Sequence, residues 1–586
     1  MTSTQLDARD ATVSLAVGEA AEGFVEALVS QGVDCLFLNP GTDTFPVQEA
    51  IVKIESHGRT APRTVLCLFE IVALAAAHGY FAATGRPQAV MVHVDVGTQN
   101  LGSMLHNAQR GRAGVVIAAG RAPYTADPEL RGSRSSYIHW LQEQADQHGI
   151  VRNYVKWDYE LRRSDQVGEV VSRAFQIAAS DPPGPVYMTL PREALMDAVG
   201  SVTLHRPERF PPARLGAGDP ESLREAARRL VGAERPLVLT SSSGRSEAGY
   251  RGLLRLSELL ALPVVEWRNR ANFPGDHGLH QGYEVGPLLR NADVLLALDH
   301  DFPYIPSVVQ PAADAFIIQL DLDPLKERIP LWTFPVDLPI RADSAQALDL
   351  IADEAERLLT GARRAAIEER RGMLAERHRE QRASWRRAAE VDEGATPITL
   401  AWLGACLRAL QAEQPDCVFV DEMVTSNEAI WRQVPAQEPG SWFGSNGSGL
   451  GWALGAALGV KLAKPEAPVI ALVGDGSFVF GAPLAALWAM QTQDAPVMIV
   501  ILNNTCYNAT KRPLVANYPE GYSVREDRFV GVDLLPAPRY DLLANVVGAW
   551  GERVEEPVAL LAALRRGLER VRDGQTAIVD VQLAHP

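Results

Sequence analysis

Two apolar runs, Val469-Ile-Ala-Leu-Val-Gly-Asp-Gly-Ser-Phe478 and Pro496-Val-Met-Ile-Val-Ile-Leu-Asn-Asn504, limit what this chain can fold into more than any other feature. Each is a β-branched stretch without alternation that stops at polar residues, the pattern of a strand buried on both faces of a parallel sheet. Parallel neighbours need a crossover, and the segment between them, with Pro483 to Met490 patterned as a helix, is long enough to supply it. Both strands therefore end at one edge, where open α/β sheets bind ligands. That edge carries Gly474-Asp475-Gly476 and Asn503-Asn504. A lone Gly-Asp-Gly is more often a turn than a site. Two strand ends together offer hard oxygen donors, the Asp475 carboxylate and the Asn504 amide, for a divalent cation, with glycines that let backbone approach an attached diphosphate.

The same alternation runs through the rest of the chain. Between residues 13 and 195 a helical stretch from Val17 to Gln31 leads into Cys35-Leu-Phe-Leu38, which breaks at Asn39-Pro-Gly-Thr42. Thr64 to Phe69, Ala89 to His93, Gly114 to Ala119 and Val186 to Leu190 read as further buried strands. After a proline-containing linker that starts at Arg206, a second unit, 206–360, has strands at Pro236 to Leu239, Pro263 to Glu266, Val294 to Leu298 and Phe316 to Leu320. A connection, 361–394, is dense in Arg and Glu and reads as a solvated surface helix rather than a nucleic-acid arm. The third unit, 395–586, holds the opening motif and closes on Ala577 to Gln582. Strands alternating with helices predict three α/β domains, each a doubly wound parallel sheet. The 586 residues allow roughly three to four domains of about 150 residues each. Three similar blocks imply internal duplication, although no short repeat period is visible.

The net charge of -16 argues against a nucleic-acid backbone as partner, since phosphate binding needs a concentrated basic surface. Five cysteines without a Cys-x-x-Cys pair read as reduced core residues of a cytoplasmic protein. Met1 to Asp10 lacks the basic-then-apolar order of a signal peptide, and no apolar run reaches the about 18 residues of a membrane span.

Glu70 follows a strand pattern and opens the Ala-rich helix Ile71 to Thr84. Burial there should raise its pKa unless a donor meets it, although a glutamate at a helix start also simply complements the macrodipole. Glu70 together with the 474–504 motif resembles the thiamine diphosphate-dependent decarboxylase and acetolactate synthase superfamily, over nearly the whole chain and in the order pyrimidine-binding, central and diphosphate-binding domain. Several strings look closest to its benzoylformate decarboxylase branch: Asn39-Pro-Gly-Thr-Asp43, His93-Val-Asp-Val-Gly-Thr-Gln-Asn100, Phe273-Pro-Gly-Asp-His277 and Ser448-Gly-Leu-Gly451.

The resemblance implies thiamine diphosphate and Mg2+ as cofactors. It gives Glu70 the aminopyrimidine ring, with Asn100 nearby, the Ser448 carbonyl the pyrimidine amine, and Leu450 the wedge between the two rings. It gives Gly474, Gly476 and Ser477 the diphosphate, and Asp475, Asn504 and the Cys506 carbonyl the metal. Thr42 takes the place of a serine that touches substrate carboxylate, His93 and His277 those of catalytic histidines suited to moving protons, and Tyr507 lies where it could line the pocket or the core. Gly447 to Gly451 could pass for a dinucleotide loop, but no buried strand is evident before it and the acidic residue about 20 positions on is missing.

The implied reaction is cleavage or formation of a carbon–carbon bond next to a carbonyl, foremost non-oxidative 2-oxo acid decarboxylation with carboligation. The alternative is a 2-hydroxyacyl-CoA lyase or an acetolactate synthase-like enzyme, favoured by Tyr137 to Gln147, which looks more like that side of the superfamily. Threonine at 42 and the segment Arg512 to Arg525 also depart from the benzoylformate pattern. A non-catalytic thiamine diphosphate-binding regulator fits least, because Glu70 and the metal motif are both retained. The family further implies a homodimer or homotetramer with active sites between subunits, a small-molecule 2-oxo acid or acyl-CoA substrate, and no nucleic-acid or membrane partner. Whether FAD or a nucleotide occupies the central domain is left open.

Overall fold

A computed structural model describes residues 11–586; the leader expectation for Met1 to Asp10 lies outside them. The predicted α/β class is present as three parallel sheets flanked by helices. The first has the spatial order Arg63–Leu66, Cys35–Leu38, Gln88–Val92, Val115–Arg121, Val186–Pro191, Asp158–Glu160. The central sheet runs Val264–Glu266, Pro236–Thr240, Val294–Leu298, Phe316–Asp321, Leu338–Arg341. The last runs Trp442–Gly444, Val418–Glu422, Val469–Gly474, Met498–Asn503, Ala577–Gln582, Trp550–Val554. With strands numbered along the chain within each sheet, the two six-stranded sheets share one order, 2-1-3-4-6-5. The two sheets thus share a topology although no repeat is visible in the residue pattern.

In both six-stranded sheets the winding reverses between the first and third strands, so their carboxyl ends border the crevice where such sheets hold ligands. Thr42 and His93 follow those two strands in the first sheet, and Asp475 follows the third strand of the last. The register sets Gly474 opposite Leu502, which leaves Asn503 and Asn504 just beyond it at the same edge.

Some strands differ from the sequence expectation. The strand before Glu70 ends at Leu66 and is an edge strand in which only Val65 is fully buried; Cys67 to Phe69 leave the sheet to feed the helix Glu70–Thr84. An antiparallel pair, Thr12–Ala16 with Ser201–His205, was not legible because both strands are short and half exposed. A buried strand, Trp442–Gly444, does precede Gly447 to Gly451, which removes one of the two grounds for setting a dinucleotide loop aside; its three residues were too few to read. The connection forms one 31-residue helix, Gly361–Val391, exposed for most of its length but burying Ile367 and Leu374 in the core of the central sheet. No helix among the described residues is long and apolar enough to cross a membrane.

The chain forms two compact units. One holds the chain to Ala213 with Ser445–Pro465 and Phe478–Ala495; the other holds Arg214–Gly444, Glu466–Ser477 and Pro496–Pro586. Within the first, the helix Trp452–Ala463 lies along Glu70–Thr84 at backbone contact. A Cβ on Gly459 would stand 1.9 Å from the Ala76 carbonyl oxygen, and one on Gly79 would stand 2.2 Å from that of Ala456. Trp452 Nε1 donates to His78 Nδ1 at 3.0 Å and locks the rotation of the pair. The seam leaves no room for a methyl group. Gly459→Ala should therefore destabilise the protein by about 1–3 kcal/mol, read as a lower Tm by scanning calorimetry. Gly372→Ala, in an open stretch of the helix Gly361–Val391 where a Cβ meets nothing within 4 Å, should be neutral or stabilise by up to about 1 kcal/mol.

Candidate functional site

In the first unit, Glu70 is the first residue of its helix and is buried, 5% exposed. The donor its burial demanded is Asn100, whose Nδ2 donates to Glu70 Oε2 at 3.1 Å from the end of the short helix Val94–Asn100. Gly97 lies between Glu70 and His93: a Cβ there would sit 3.1 Å from Glu70 Oε1 and 3.4 Å from His93 Cβ. The structure thus brings Glu70, Asn100 and His93 around one turn.

His93 Nδ1 is paired with the buried Asp43 Oδ1, and Asp43 Oδ2 accepts from the Val94 amide at 3.2 Å. Burial works against a charged His93 ring, but the hydrogen bond to Asp43, its negative charge and the Gln142 side chain outweigh it and hold the pKa above the ordinary histidine value. Thr42 is exposed, and its carbonyl accepts from Arg192 Nη1 at 3.3 Å; Arg192 also meets His139 Nε2 at 3.2 Å. Asp43, Gln142, His139 and Arg192 were missed as neighbours of His93 and Thr42. Asp43 stood inside a quoted motif, yet nothing in one-dimensional order showed that it faces a residue 50 positions on.

The loop before Trp452 is pinned by the helix Gly102–Arg110. Asn107 brackets Gly449, accepting from its amide at 2.9 Å and donating to its carbonyl at 2.7 Å, and His106 Nε2 accepts from the Ser448 amide at 3.1 Å. Ser448 is exposed and Leu450 half-buried. Gly451 turns into the helix at φ +97°, a conformation that side chains resist.

In the second unit, the helix Asp475–Phe480 begins directly after Gly474. Asp475 is 3% exposed; Oδ1 accepts from the Gly476 amide at 2.8 Å, whereas Oδ2 is buried and has no hydrogen-bond partner among the described residues. Burial raises its pKa, partly offset by the amides of Gly476, Thr505 and Cys506. The two asparagines divide their work. Asn503 points inward and donates to Asp580 Oδ1 at 2.9 Å, while the half-buried Asn504 accepts from the Cys506 amide at 3.0 Å and keeps a second lone pair. Thr505 takes φ +55° to make this turn. The Cys506 carbonyl accepts from the Asn508 amide at 2.8 Å. A Cβ on Gly474 would meet only Ser477 Oγ, at 4.0 Å, so the space above that strand end is open; one on Gly476 would run into the Tyr507 ring at 2.8 Å. An orphaned buried carboxylate oxygen beside an amide oxygen and an open glycine fits a cation with its diphosphate.

His277 has other company. It faces Glu258 Oε1 at 3.4 Å, accepts from the Leu279 amide at 3.2 Å and sits edge-on to Phe273, all in the central-sheet region. Among the described residues none of these partners belongs to the predicted site.

Residues 18–150 match the thiamine pyrophosphate enzyme N-terminal TPP binding domain, and residues 423–581 match the C-terminal TPP binding domain. The chain belongs to the thiamine diphosphate-dependent decarboxylase and acetolactate synthase superfamily. It is 26% identical to the acetolactate synthase isozyme 3 large subunit of Escherichia coli (strain K12), over 96% of this chain and 94% of the relative. It is 28% identical to the benzoylformate decarboxylase of Pseudomonas aeruginosa, over 83% and 86%. Its fold is that of the benzoylformate decarboxylase from Polynucleobacter necessarius, with a TM-score of 0.78 at 21% identity, covering 97% of this chain and 99% of the other.

Asp580, on the strand beside Asn503, is pushed by burial from the ordinary 3.8 up to about 6, against the hydrogen bond from Asn503 and the charge of Arg553. A folded pKa above the unfolded one gives a contribution that is fully present below the unfolded value and lost as pH rises through the folded value. The ligand-free protein should therefore lose on the order of 2–3 kcal/mol from this group between about pH 4 and pH 7. In Asp580→Asn that part of the loss should vanish, read as the difference between the two proteins' urea midpoints across the range.

Proposed function

We propose that this protein uses thiamine diphosphate and Mg2+ to cleave or form a carbon–carbon bond next to a carbonyl, and that its main reaction is non-oxidative decarboxylation of a 2-oxo acid, with carboligation alongside. The observation that carries this is the buried Glu70 carboxyl, held through one oxygen by Asn100 and separated from His93 by Gly97. The cofactor, when bound, supplies the carbon that adds to the carbonyl and accepts the electron pair of the broken bond.

The chain's own residues do the rest. Asp475 Oδ2, Asn504 Oδ1 and the Cys506 carbonyl hold the metal, and Gly474, Gly476 and Ser477 hold the diphosphate. The Ser448 carbonyl and Leu450 set the ring end of the cofactor, on a loop fixed by Asn107. Glu70 holds the proton exchanged with the aminopyrimidine, and Asn100 orients its carboxylate. His93, whose pKa is raised by Asp43 and Gln142 against the opposing effect of burial, gives or takes a proton near the reacting carbonyl, and Thr42 receives the substrate carboxylate from the end of the adjacent strand. Tyr507, whose ring covers Gly476, closes one side of the pocket. His277 enters this reading through the resemblance alone. A lyase or synthase acting on a 2-hydroxyacyl-CoA or on pyruvate is the second reading, supported by Gln142, whose side chain bears on the His93 ring.

The deciding experiment supplies thiamine diphosphate and Mg2+ with a panel of 2-oxo acids and 2-hydroxyacyl-CoA esters, and follows carbon dioxide, aldehyde and formyl-CoA. Carbon dioxide and aldehyde from an aromatic 2-oxo acid are expected, and Glu70→Gln should lower turnover by at least about 100-fold. Formyl-CoA or acetolactate without aromatic turnover replaces the first reading by the second, and unchanged turnover in Glu70→Gln overturns both. We further propose a homodimer or homotetramer in which Glu70 of one copy serves the metal residues of another. A monomer in sedimentation that retains full activity would refute that arrangement.

A further inference from the structure

The turn that carries Asn504 also meets a second set of donors. Cys506 Sγ, Asp533 and His585 each present one ligand atom, and the three atoms lie within 4.8 Å of one another. Cys506 and Asp533 are fixed as cross-strand neighbours: they form an isolated antiparallel bridge, flanked by Tyr507 N–H donating to the Val532 carbonyl and Leu534 N–H to the Thr505 carbonyl, both at 2.8 Å. His585 is held from its other nitrogen. Its Nδ1 lies 3.2 Å from the Asn504 carbonyl oxygen and 2.9 Å from Thr505 Oγ1.

That carbonyl can only accept, so it favours the tautomer with a proton on Nδ1, which leaves a bare lone pair on Nε2. Nε2 faces Asp533 Oδ1 at 3.3 Å. A lone pair and a carboxylate oxygen at that distance repel unless a cation lies between them, either a proton or a metal. Two ligands of a tetrahedral zinc-type ion, at bonds of about 2.0–2.2 Å, are themselves about 3.4 Å apart. The His585–Asp533 separation already matches that edge, and Cys506 Sγ, within 4.8 Å of both, supplies a soft donor. The nearby cation, Lys511, is occupied by the Pro586 carbonyl and the Phe529 ring. Asp533 and His585 are each 40% exposed at the side chain, so an ion can enter from solvent, while Cys506 is buried beneath them.

We propose that Cys506, Asp533 and His585 form a binding site for a thiophilic divalent ion of the zinc class, distinct in its donor set from the all-oxygen site of Asp475 and Asn504. Binding replaces the Cys506 Sγ proton, which passes to solvent, by the metal; His585 coordinates through Nε2, Asp533 through one oxygen, and water completes the tetrahedron. A Mg2+ ion, which prefers oxygen, would not take this set.

The test is titration of the full-length protein, without thiamine diphosphate and with excess Mg2+ to fill oxygen sites, with Co2+ as a spectroscopic stand-in for zinc. One equivalent should produce a thiolate-to-cobalt charge-transfer band together with the intense visible bands of a tetrahedral site, and Zn2+ should abolish both. Cys506→Ser should lose the charge-transfer band, and His585→Gln and Asp533→Asn should weaken binding by at least about tenfold. Circular dichroism identifies any variant that fails to fold; His585→Gln, at a partly exposed ring, keeps the test open if Cys506→Ser does not fold. Absence of the band in the wild-type protein, or an unchanged band and affinity in His585→Gln, overturns the site, and neither outcome depends on whether thiamine diphosphate binds or turns over.

Discussion

Two helices can touch backbone to backbone only where the residues between them have almost no side chain. The helix Glu70–Thr84 and the helix Trp452–Ala463 meet in this way, through Ala76 and Gly79 on one and Ala456 and Gly459 on the other. The contact ties a segment of the N-terminal sheet region to one that enters the chain nearly four hundred residues later, and places both in one compact unit. It also fixes the axial position and rotation of the helix whose first residue is Glu70. A buried carboxyl at the start of a helix takes its position from that helix, and the seam holds the helix through glycines and alanines, away from Glu70 itself.

Charge placement follows a similar logic of support from behind. Asp43 lies beneath His93 and favours its charged form, Asn100 holds one oxygen of Glu70, and Asn503 reaches Asp580 while Asn504 stays on the rim. Asp475 is the exception, because its Oδ2 is buried without a hydrogen-bond partner among the described residues. A carboxylate oxygen left in that state is costly to the ligand-free fold, and a bound cation would offset the cost, so binding and stability are linked there. The Cys506, Asp533 and His585 cluster meets the same turn through Cys506, and His585 Nδ1 lies 3.2 Å from the Asn504 carbonyl oxygen.

The sequence by itself determined the fold class and the cofactor. Long β-branched runs such as Val469 to Val473 and Met498 to Leu502 have few alternatives to buried parallel strands, and Gly474-Asp475-Gly476 with Asn503-Asn504 required only that two strand ends meet at one edge. Short or edge elements were not legible: Trp442–Gly444, Asp158–Glu160 and Thr12–Ala16 carry too few residues to show a period, and their pairing is decided by neighbours far along the chain.

Only the tertiary structure decided which polar residues face one another. Asp43 with His93, Asn100 with Glu70, Asn107 with Gly449 and His585 with Asp533 are separated by between 30 and 342 positions, and no local pattern encodes such distances. It likewise gave His277 its neighbours Glu258, Phe273 and the Leu279 amide, which no local pattern announced. The physical reason is that backbone hydrogen bonding and apolar periodicity are written within a few residues, whereas the pKa and partners of a side chain depend on whatever the folded chain brings within a few ångströms of it.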